Sequence, residues 1–172
     1  MALIIEDGSN VTGADSFVSL ADARVIAASY GLNLPAIDAD AELALKMGVK
    51  WIAQRESELQ GDRAFASQAL SFPRAVVCIY GYEQESDFIP EQLKEAQVIA
   101  AVEQGLNGGI LAAETTPANG IKKEVLDGVG EFEYFEGATG ITTPANIKLA
   151  LSILKPITKA GISVGGGLRV QR

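Results

Sequence analysis

The sequence predicts a mainly α protein, a helical bundle of about four helices with a β-hairpin and extended N- and C-terminal arms. Four stretches place apolar residues at helical spacing, and each has a glycine or a proline near its end. Asp127-Gly128 lies between two short runs of strand-forming residues, which is a strong hairpin signal. The 172 residues are enough for one domain that buries a sizeable core.

This single domain divides by composition into consecutive segments. The expected segments are an N-terminal arm at 1–18, a helical core at 19–109, a loop and β-hairpin at 110–142, a last helix at 143–161 and a C-terminal tail at 162–172. The tail is rich in glycine and shows strand-like alternation at its end. No internal repeat divides the chain further.

Capping signals define the first helix, which is predicted over 20–30. Ser19 is placed as the N-cap, with Asp22 at the third helical position. Gly31 follows the last turn, where a glycine commonly ends a helix.

The second helix is predicted over 40–59, because this proline-free stretch has one apolar face and one charged face. Trp51 lies on the apolar face. We expect it to be a core or interface anchor rather than part of a binding cage. Together with the face that carries Ile99, it should form the core of the bundle.

Prolines mark the other two helices. Ile89-Pro90 opens the third, with Pro90 at the first helical position, and glycines end it near 107. Thr143-Pro144 caps the last helix. Pro156 should end or kink that helix, because proline has no amide proton to donate.

Three other segments favour extended structure. The run at 2–6 is rich in β-branched residues, and 74–80 has the composition of a short strand. The hairpin is predicted over 121–136, where Phe132 and Tyr134 alternate with glutamates on the second arm. Because a two-stranded hairpin of this length is marginal alone, it should pack on a helix or on another subunit.

Composition excludes several classes of protein. The chain has 14 Lys and Arg against 22 Asp and Glu, a net charge of −8 at pH 7, and no histidine. Imidazole acid–base chemistry and Ser-His-Asp triads are therefore excluded. Cys78 is the single cysteine, which excludes an intrachain disulfide and the usual zinc ligand sets. The acidic balance also disfavours tight binding to nucleic-acid phosphates.

Targeting signals are absent from the sequence as given. Its first residues lack the basic and apolar regions of a secretory signal peptide, and no run of about 18 apolar residues predicts a membrane span. A lone cysteine fits a reducing compartment. We expect a soluble protein, made in the cytoplasm, that contacts no membrane.

Residues that could carry chemistry have simpler structural explanations. Gly128-Val-Gly130 and 165–167 lack the strand–helix context of nucleotide-binding loops. Glu83, Glu85 and Asp87 fit a solvated loop better than a metal site. We therefore expect no enzyme activity, no cofactor and no metal.

Two other side chains also have structural explanations. Cys78 lies in an apolar run and is expected to be a small buried side chain. Arg74 follows Pro73 and is expected to fix its loop to a helix through an ion pair rather than to contact a phosphate.

The hairpin, the loops of small residues and the termini exceed what a compact bundle needs. Such segments often pair with neighbouring chains, so they indicate an assembly component. Candidate interface residues are Trp51, Phe72, Pro73, Arg74, Phe132, Tyr134, Leu168, Arg169, Val170 and Arg172.

The opening of the chain resembles a known phage family. Leu3–Gly8 followed by Gly13–Ala23 is similar to the start of tailed-phage head–tail connector proteins, which are often labelled DnaT-like single-stranded-DNA-binding proteins. The segment 69–74, the helix that starts at Ile89-Pro90 and the stretch Ile121–Val125 resemble the same family. The similarity covers most of 3–136, the last helix and the end of the tail.

This resemblance implies a helical adaptor in the neck of a virion. Copies of the chain would form a ring, typically of about twelve, that binds the portal protein and the tail or the next neck protein and leaves a channel for genomic double-stranded DNA. The alternative label implies a single-stranded-DNA-binding accessory protein of phage replication, and an unrecognised enzyme remains a third class. The charge of −8 favours the conduit over the DNA binder.

Overall fold

The described residues form four α-helices and several short antiparallel strand pairs. The computed structural model describes residues 2–111 and 143–159, together with the backbone of 124–126 and 130–132. The helices are α1 (Leu20–Ser29), α2 (Asp38–Ala53), α3 (Glu91–Asn107) and α4 (Ala145–Leu154). The strands are β1 (Asp62–Arg63), β2 (Arg74–Ala75), β3 (Cys78–Ile79), β4 (Tyr82–Glu83), β5 (Glu124–Leu126) and β6 (Gly130–Phe132).

Helix α3 is the centre of the fold, since it packs against α1, α2 and α4. Its residues are buried without interruption over 96–103, as expected for a helix with neighbours on all sides. Trp51 and Ile99 are both fully buried in the main core. The prediction that these two helix faces form the core is therefore confirmed.

The first helix is capped as predicted. Ser19 Oγ accepts a hydrogen bond from the amide of Asp22 at 3.1 Å and donates one to its carboxylate at 2.6 Å. Gly31 has a φ of +69°. The next amide, that of Leu32, donates to the carbonyl of Ala27, which completes a glycine-based C-terminal cap.

The end of α2 differs from the prediction. The helix begins at Asp38 and ends at Ala53, well before the expected end near 59. A 3₁₀ turn over Glu56–Glu58 follows, and then the backbone of Leu59 bridges to Thr158. Tertiary pairing with the segment after α4 therefore overrides the helical propensity of 54–59.

The helices marked by proline begin and end close to the predicted positions. Pro90 is the N-cap of α3, so the helix begins at Glu91, one residue later than predicted. Gly108 ends the helix with a φ of +68°. Pro144 is the N-cap of α4. Pro156 lies in a 3₁₀ turn that follows Leu154, which confirms that it ends the helix.

The strand predicted over 74–80 is broken in two. Val76 has a φ of +59°, which takes the backbone out of the extended conformation between β2 and β3. Strand β2 pairs with β1, and β3 pairs with β4, both antiparallel. A continuous strand was therefore the wrong prediction here.

The predicted hairpin at 121–136 is confirmed for the backbone of its paired residues. Strands β5 and β6 are antiparallel, with Val125 opposite Glu131. The side chain of Phe132 and the whole of Tyr134 lie outside the described residues.

The predicted N-terminal arm is a packed loop rather than an extended arm. The side chain of Glu6 is buried, and its carboxylate holds the loop through backbone amides. Oε1 accepts from the amides of Gly8 at 2.9 Å and Asn10 at 3.0 Å, and Oε2 accepts from that of Val11 at 3.0 Å. These charge-assisted bonds compensate the burial of the charge.

Gln97 of α3 joins this loop to the bundle. Its fully buried side chain accepts from the amide of Phe17 at 3.0 Å and donates to Ser16 Oγ at 2.8 Å and to the carbonyl of Leu45 at 3.2 Å. The strand expected at 2–6 is reduced to one parallel bridge between Ile5 and Ser16.

In the part of the chain that the structure describes, no helix is long and apolar enough to cross a membrane. The predicted C-terminal tail at 162–172 lies outside the described residues. The division of the chain into five segments stays a prediction.

Candidate interaction surface

The β3–β4 hairpin exposes two aromatic side chains. Tyr80 and Tyr82 are each 76% exposed, on either side of Gly81. Tyr80 and Gly81 have φ values of +52° and +86°, the conformation of a tight hairpin turn that suits the twist of the strands. Large side chains held open to solvent in this way are typical of a contact surface.

Alternation along the segment before the turn explains this exposure. Val77 and Ile79 point into the core, so Val76, Cys78 and Tyr80 point outward. The prediction that Cys78 is buried is therefore wrong, because its neighbours on both sides take the inward positions.

The backbone of this segment is held in an unusual conformation. A positive φ is rare for a β-branched residue such as Val76, and it costs of order 1–3 kcal/mol. Two hydrogen bonds fix its surroundings: the amide of Gln84 donates to the carbonyl of Val77 at 2.8 Å, and the amide of Cys78 donates to Gln60 Oε1 at 3.1 Å. Strain of this kind concentrates at functional segments.

A cleft of about 940 Å³ lies beside the hairpin. Its walls are the N-terminal loop, the outer face of α1, and the segment that connects β4 to α3. Apolar side chains that line it include Ile5, Val25, Ile26 and Phe88. Acidic residues that line it are Glu6, Asp7, Asp22, Glu83, Glu85, Asp87 and Glu91.

The acidic lining is not balanced by cations. Among the described residues, Lys94 is the one cation that lines the cleft, and its ammonium already pairs with Glu91 at 2.8 Å. Hydrogen bonds from the hydroxyl and the amide of Ser9 lower the pKa of Asp7, so this carboxylate is charged at neutral pH. The cleft therefore favours a positively charged occupant and repels phosphates.

Most cations of the described chain have internal partners. Such partners hold Arg24, Lys46, Arg55, Arg63, Arg74, Lys94 and Lys159. Lys50, Lys148 and Lys155 are exposed and have no such partner among the described residues. Because nucleic-acid backbones are bound by free Lys and Arg side chains, the described surface offers few phosphate contacts.

Glu56 binds two of these cations, Arg63 and Arg74. Its carboxylate accepts from Arg63 Nε at 2.6 Å and Nη2 at 2.7 Å, and from Arg74 Nη1 at 3.3 Å. These hydrogen bonds from Arg63, aided by the charges of both guanidinium groups and opposed by partial burial, lower the pKa of Glu56. Arg74 also donates to the carbonyls of Gln60 and Gly61. The prediction that an ion pair of Arg74 fixes its loop is confirmed.

Four of the predicted interface residues are buried. Trp51 and Phe72 are fully buried, Pro73 follows a cis peptide bond and is buried, and Arg74 is 6% exposed. The guanidinium of Arg55 covers the ring of Trp51 at 4.1 Å from its centroid. The four predicted interface residues therefore make their contacts within one chain. For the three that follow residue 71, the reason is that the loop at 69–74 packs on the core.

The remaining predicted interface residues cannot be placed on this surface. Leu168, Arg169, Val170 and Arg172 lie outside the described residues, as does Tyr134, and only the backbone of Phe132 is described. No cluster of His, Cys, Asp or Glu in the described segments is arranged to hold a metal ion.

Sequence reasoning missed the two tyrosines and the cleft. A signal for the tyrosines was present, since Tyr80-Gly81-Tyr82 places aromatics on both sides of a turn glycine after an alternating run. The cleft gave no local signal, because it brings together residues 5–26 and 83–94.

Comparison with known proteins identifies the family. A family model described as "Putative DnaT-like ssDNA binding protein" matches residues 1–172. The chain belongs to this family. Neither the curated proteins nor the solved structures contain a match.

Membership of the DnaT-like family bears on the two functions that the sequence left open. Its description names single-stranded DNA binding, so it supports the alternative rather than the adaptor in the virion neck. The family description therefore gives no support to the adaptor function.

Proposed function

We propose that this member of the DnaT-like family is a head-to-tail adaptor, which forms a ring of about twelve copies below the portal of a virion. The observation that carries the proposal is the tyrosine pair of the β3–β4 hairpin, exposed beside an acidic cleft. Exposed aromatic side chains on a described surface with few free cations suit protein contacts better than nucleic-acid contacts.

The charge of the chain supports the same proposal. A ring that lets double-stranded DNA pass should not retain it, and a net charge of −8 disfavours retention. The portal protein and the tail, or the next neck protein, would be the partners. The location would be the neck of the virion, after synthesis in the host cytoplasm.

Purified virions test the adaptor proposal. We expect the chain in the particles at about twelve copies, as a closed ring of subunits requires. Changing both Tyr80→Ala and Tyr82→Ala should give filled heads without tails, whereas the control Leu43→Ala should give normal particles. Leu43 is exposed on α2 and does not line the cleft. Particles that lack the chain, or that assemble normally with the double variant, would overturn the proposal.

The second candidate function is single-stranded DNA binding, which the family description favours. Tyr80 and Tyr82 could stack with two bases, each worth about 1–3 kcal/mol. Because free cations are few on the described surface, such binding would depend on stacking and would change little with salt.

Fluorescence anisotropy with a labelled oligothymidylate separates the two candidates. The adaptor proposal predicts a Kd no tighter than about 10⁻⁴ M at physiological salt, the weak end of non-specific binding. The DNA-binding candidate predicts a much tighter Kd that the tyrosine double variant weakens at least about tenfold, while Leu43→Ala leaves it unchanged.

A further inference from the structure

The cleft beside the hairpin is lined by apolar side chains, here called its floor, and by acidic side chains, here called its rim. Val25 on α1 is 70% exposed, and Ile5 and Phe88 are more than a third exposed on the other walls. Asp22 lies on the α1 side, and Glu85 lies on the opposite side. An exposed apolar floor of this kind is costly in water unless something covers it.

The excess of acidic side chains in the cleft indicates that an occupant must carry positive charge. Glu6 uses its carboxylate on backbone amides, and Lys94 is paired with Glu91. The other lining acids include Glu83 and Asp87, which are exposed and face no further described cation of the cleft. An occupant with apolar side chains and two or more positive charges satisfies both the floor and the rim.

The chain itself contains a segment of this composition. Residues 160–172 include Arg169 and Arg172 and have no acidic side chain. In an extended conformation Leu168 and Val170 point to the same side, and Arg169 points to the other. We infer that the cleft binds the C-terminal segment 168–172 of this chain, with Leu168 and Val170 on the apolar floor and the arginines at the acidic rim.

The segment that would reach the cleft starts from a fixed point at the end of the described residues. Lys159 is fixed beside the 3₁₀ turn, since its amide donates to the carbonyl of Glu58 and its ammonium to that of Ser57. The thirteen residues from 160 to 172 span up to about 43–47 Å when extended. The inference does not depend on whether the protein is an adaptor or a DNA binder.

Disulfide trapping in the full chain tests the contact. In a Cys78→Ser background, Val25→Cys combined with Val170→Cys should cross-link on mild oxidation. The matched control, Leu43→Cys with Val170→Cys, places the first cysteine at an exposed apolar position on α2 outside the cleft. We expect cross-linking about tenfold faster for the cleft pair, because docking raises the effective concentration of the tail.

Charge reversal tests whether the acidic residues of the rim bind the arginines of the C-terminal segment. Adding Arg169→Glu and Arg172→Glu to the cleft pair should slow cross-linking to the control rate, and adding Asp22→Lys and Glu85→Lys as well should restore it. The cross-linked product can be a monomer or a dimer, and either one supports docking of the segment. Equal rates for the cleft pair and the control pair, with both variants folded by circular dichroism, would overturn the inference.

Discussion

The α-carbon of Gly8 lies directly against the carbonyl oxygen of Asp87, and its backbone φ is +105°. A Cβ at this position would collide with that oxygen, so only glycine fits. The contact joins the N-terminal loop to the segment between β4 and α3, which are two walls of the acidic cleft.

Gly8→Ala should destabilise the protein by about 2–3 kcal/mol, because it adds both the collision and the strain of a positive φ. The control is Gly31→Ala, at a φ of +69° with open space around the added Cβ. That variant should cost only about 1 kcal/mol, since it adds strain alone. Urea unfolding followed by circular dichroism measures both, and equal losses would contradict the importance of the contact with Asp87.

Gln97→Leu should cost about 2 kcal/mol, chiefly because the buried amide of Phe17 loses its acceptor. Gln54→Leu is the control, since this side chain lies at the exposed end of α2 and makes one long bond of 3.4 Å. We expect that control to stay within about 0.5 kcal/mol of the parent in thermal unfolding. A Gln97→Leu variant as stable as the control would show that the N-terminal loop is held by other contacts.

The cluster of Glu56, Arg63 and Arg74 should make stability depend on pH in the acidic range. The pKa of Glu56 is lowered in the folded chain below its ordinary 4.5, so its ionisation stabilises the fold above that pH and the stabilisation is lost as the pH falls through the lower, folded value. Because the pair with Arg63 is partly exposed, we expect a contribution of about 1 kcal/mol or less.

Glu56→Gln measures this contribution. The difference in unfolding free energy between the parent and this variant should be largest above pH 5 and should shrink as the pH is lowered toward 3. Glu58→Gln, on the same 3₁₀ turn but without an ion pair to Arg63 or Arg74, serves as the control. A difference for Glu56→Gln that grows toward low pH would reverse the sign that we derive.

Trp51 should report on the core, since it is the single tryptophan and is fully buried. Trp51→Ala should cost about 3–5 kcal/mol, as large-to-small changes of buried aromatics do. Trp51→Phe should cost much less, because it keeps a ring under Arg55 and removes an indole N–H that has no partner among the described residues. Native fluorescence should be blue-shifted and resist acrylamide, and a red-shifted, easily quenched emission would contradict burial.

The helices could be predicted because local signals define them. Features that depend on pairing between distant residues could not be predicted. Ser19 and Gly31 define α1 through contacts within a few residues, so the sequence sufficed there. The early end of α2 depends on Thr158, about a hundred residues away, and no local pattern carries that information. The same reason applies to Cys78, which faces solvent because Val77 and Ile79 occupy the core.

The candidate site was less predictable than the fold. The acidity of Glu83, Glu85 and Asp87 was evident, and these residues are exposed as expected of a solvated loop. That they face the outer side of α1 across a cleft follows only from tertiary packing. Trp51 and Phe72 have the composition of interface anchors, but the chain uses their apolar area for its own core.

The hydrogen bonds of Glu6 change what the family resemblance can tell us. Glu6, Asp15 and Ser16 belong to the opening motif that carries the resemblance, and each holds the N-terminal loop in place through bonds to the backbone. That motif therefore records how this part of the chain is folded rather than what the protein binds. Related chains with the same opening can be expected to share the loop architecture, while their partners are set by surfaces such as the tyrosine hairpin.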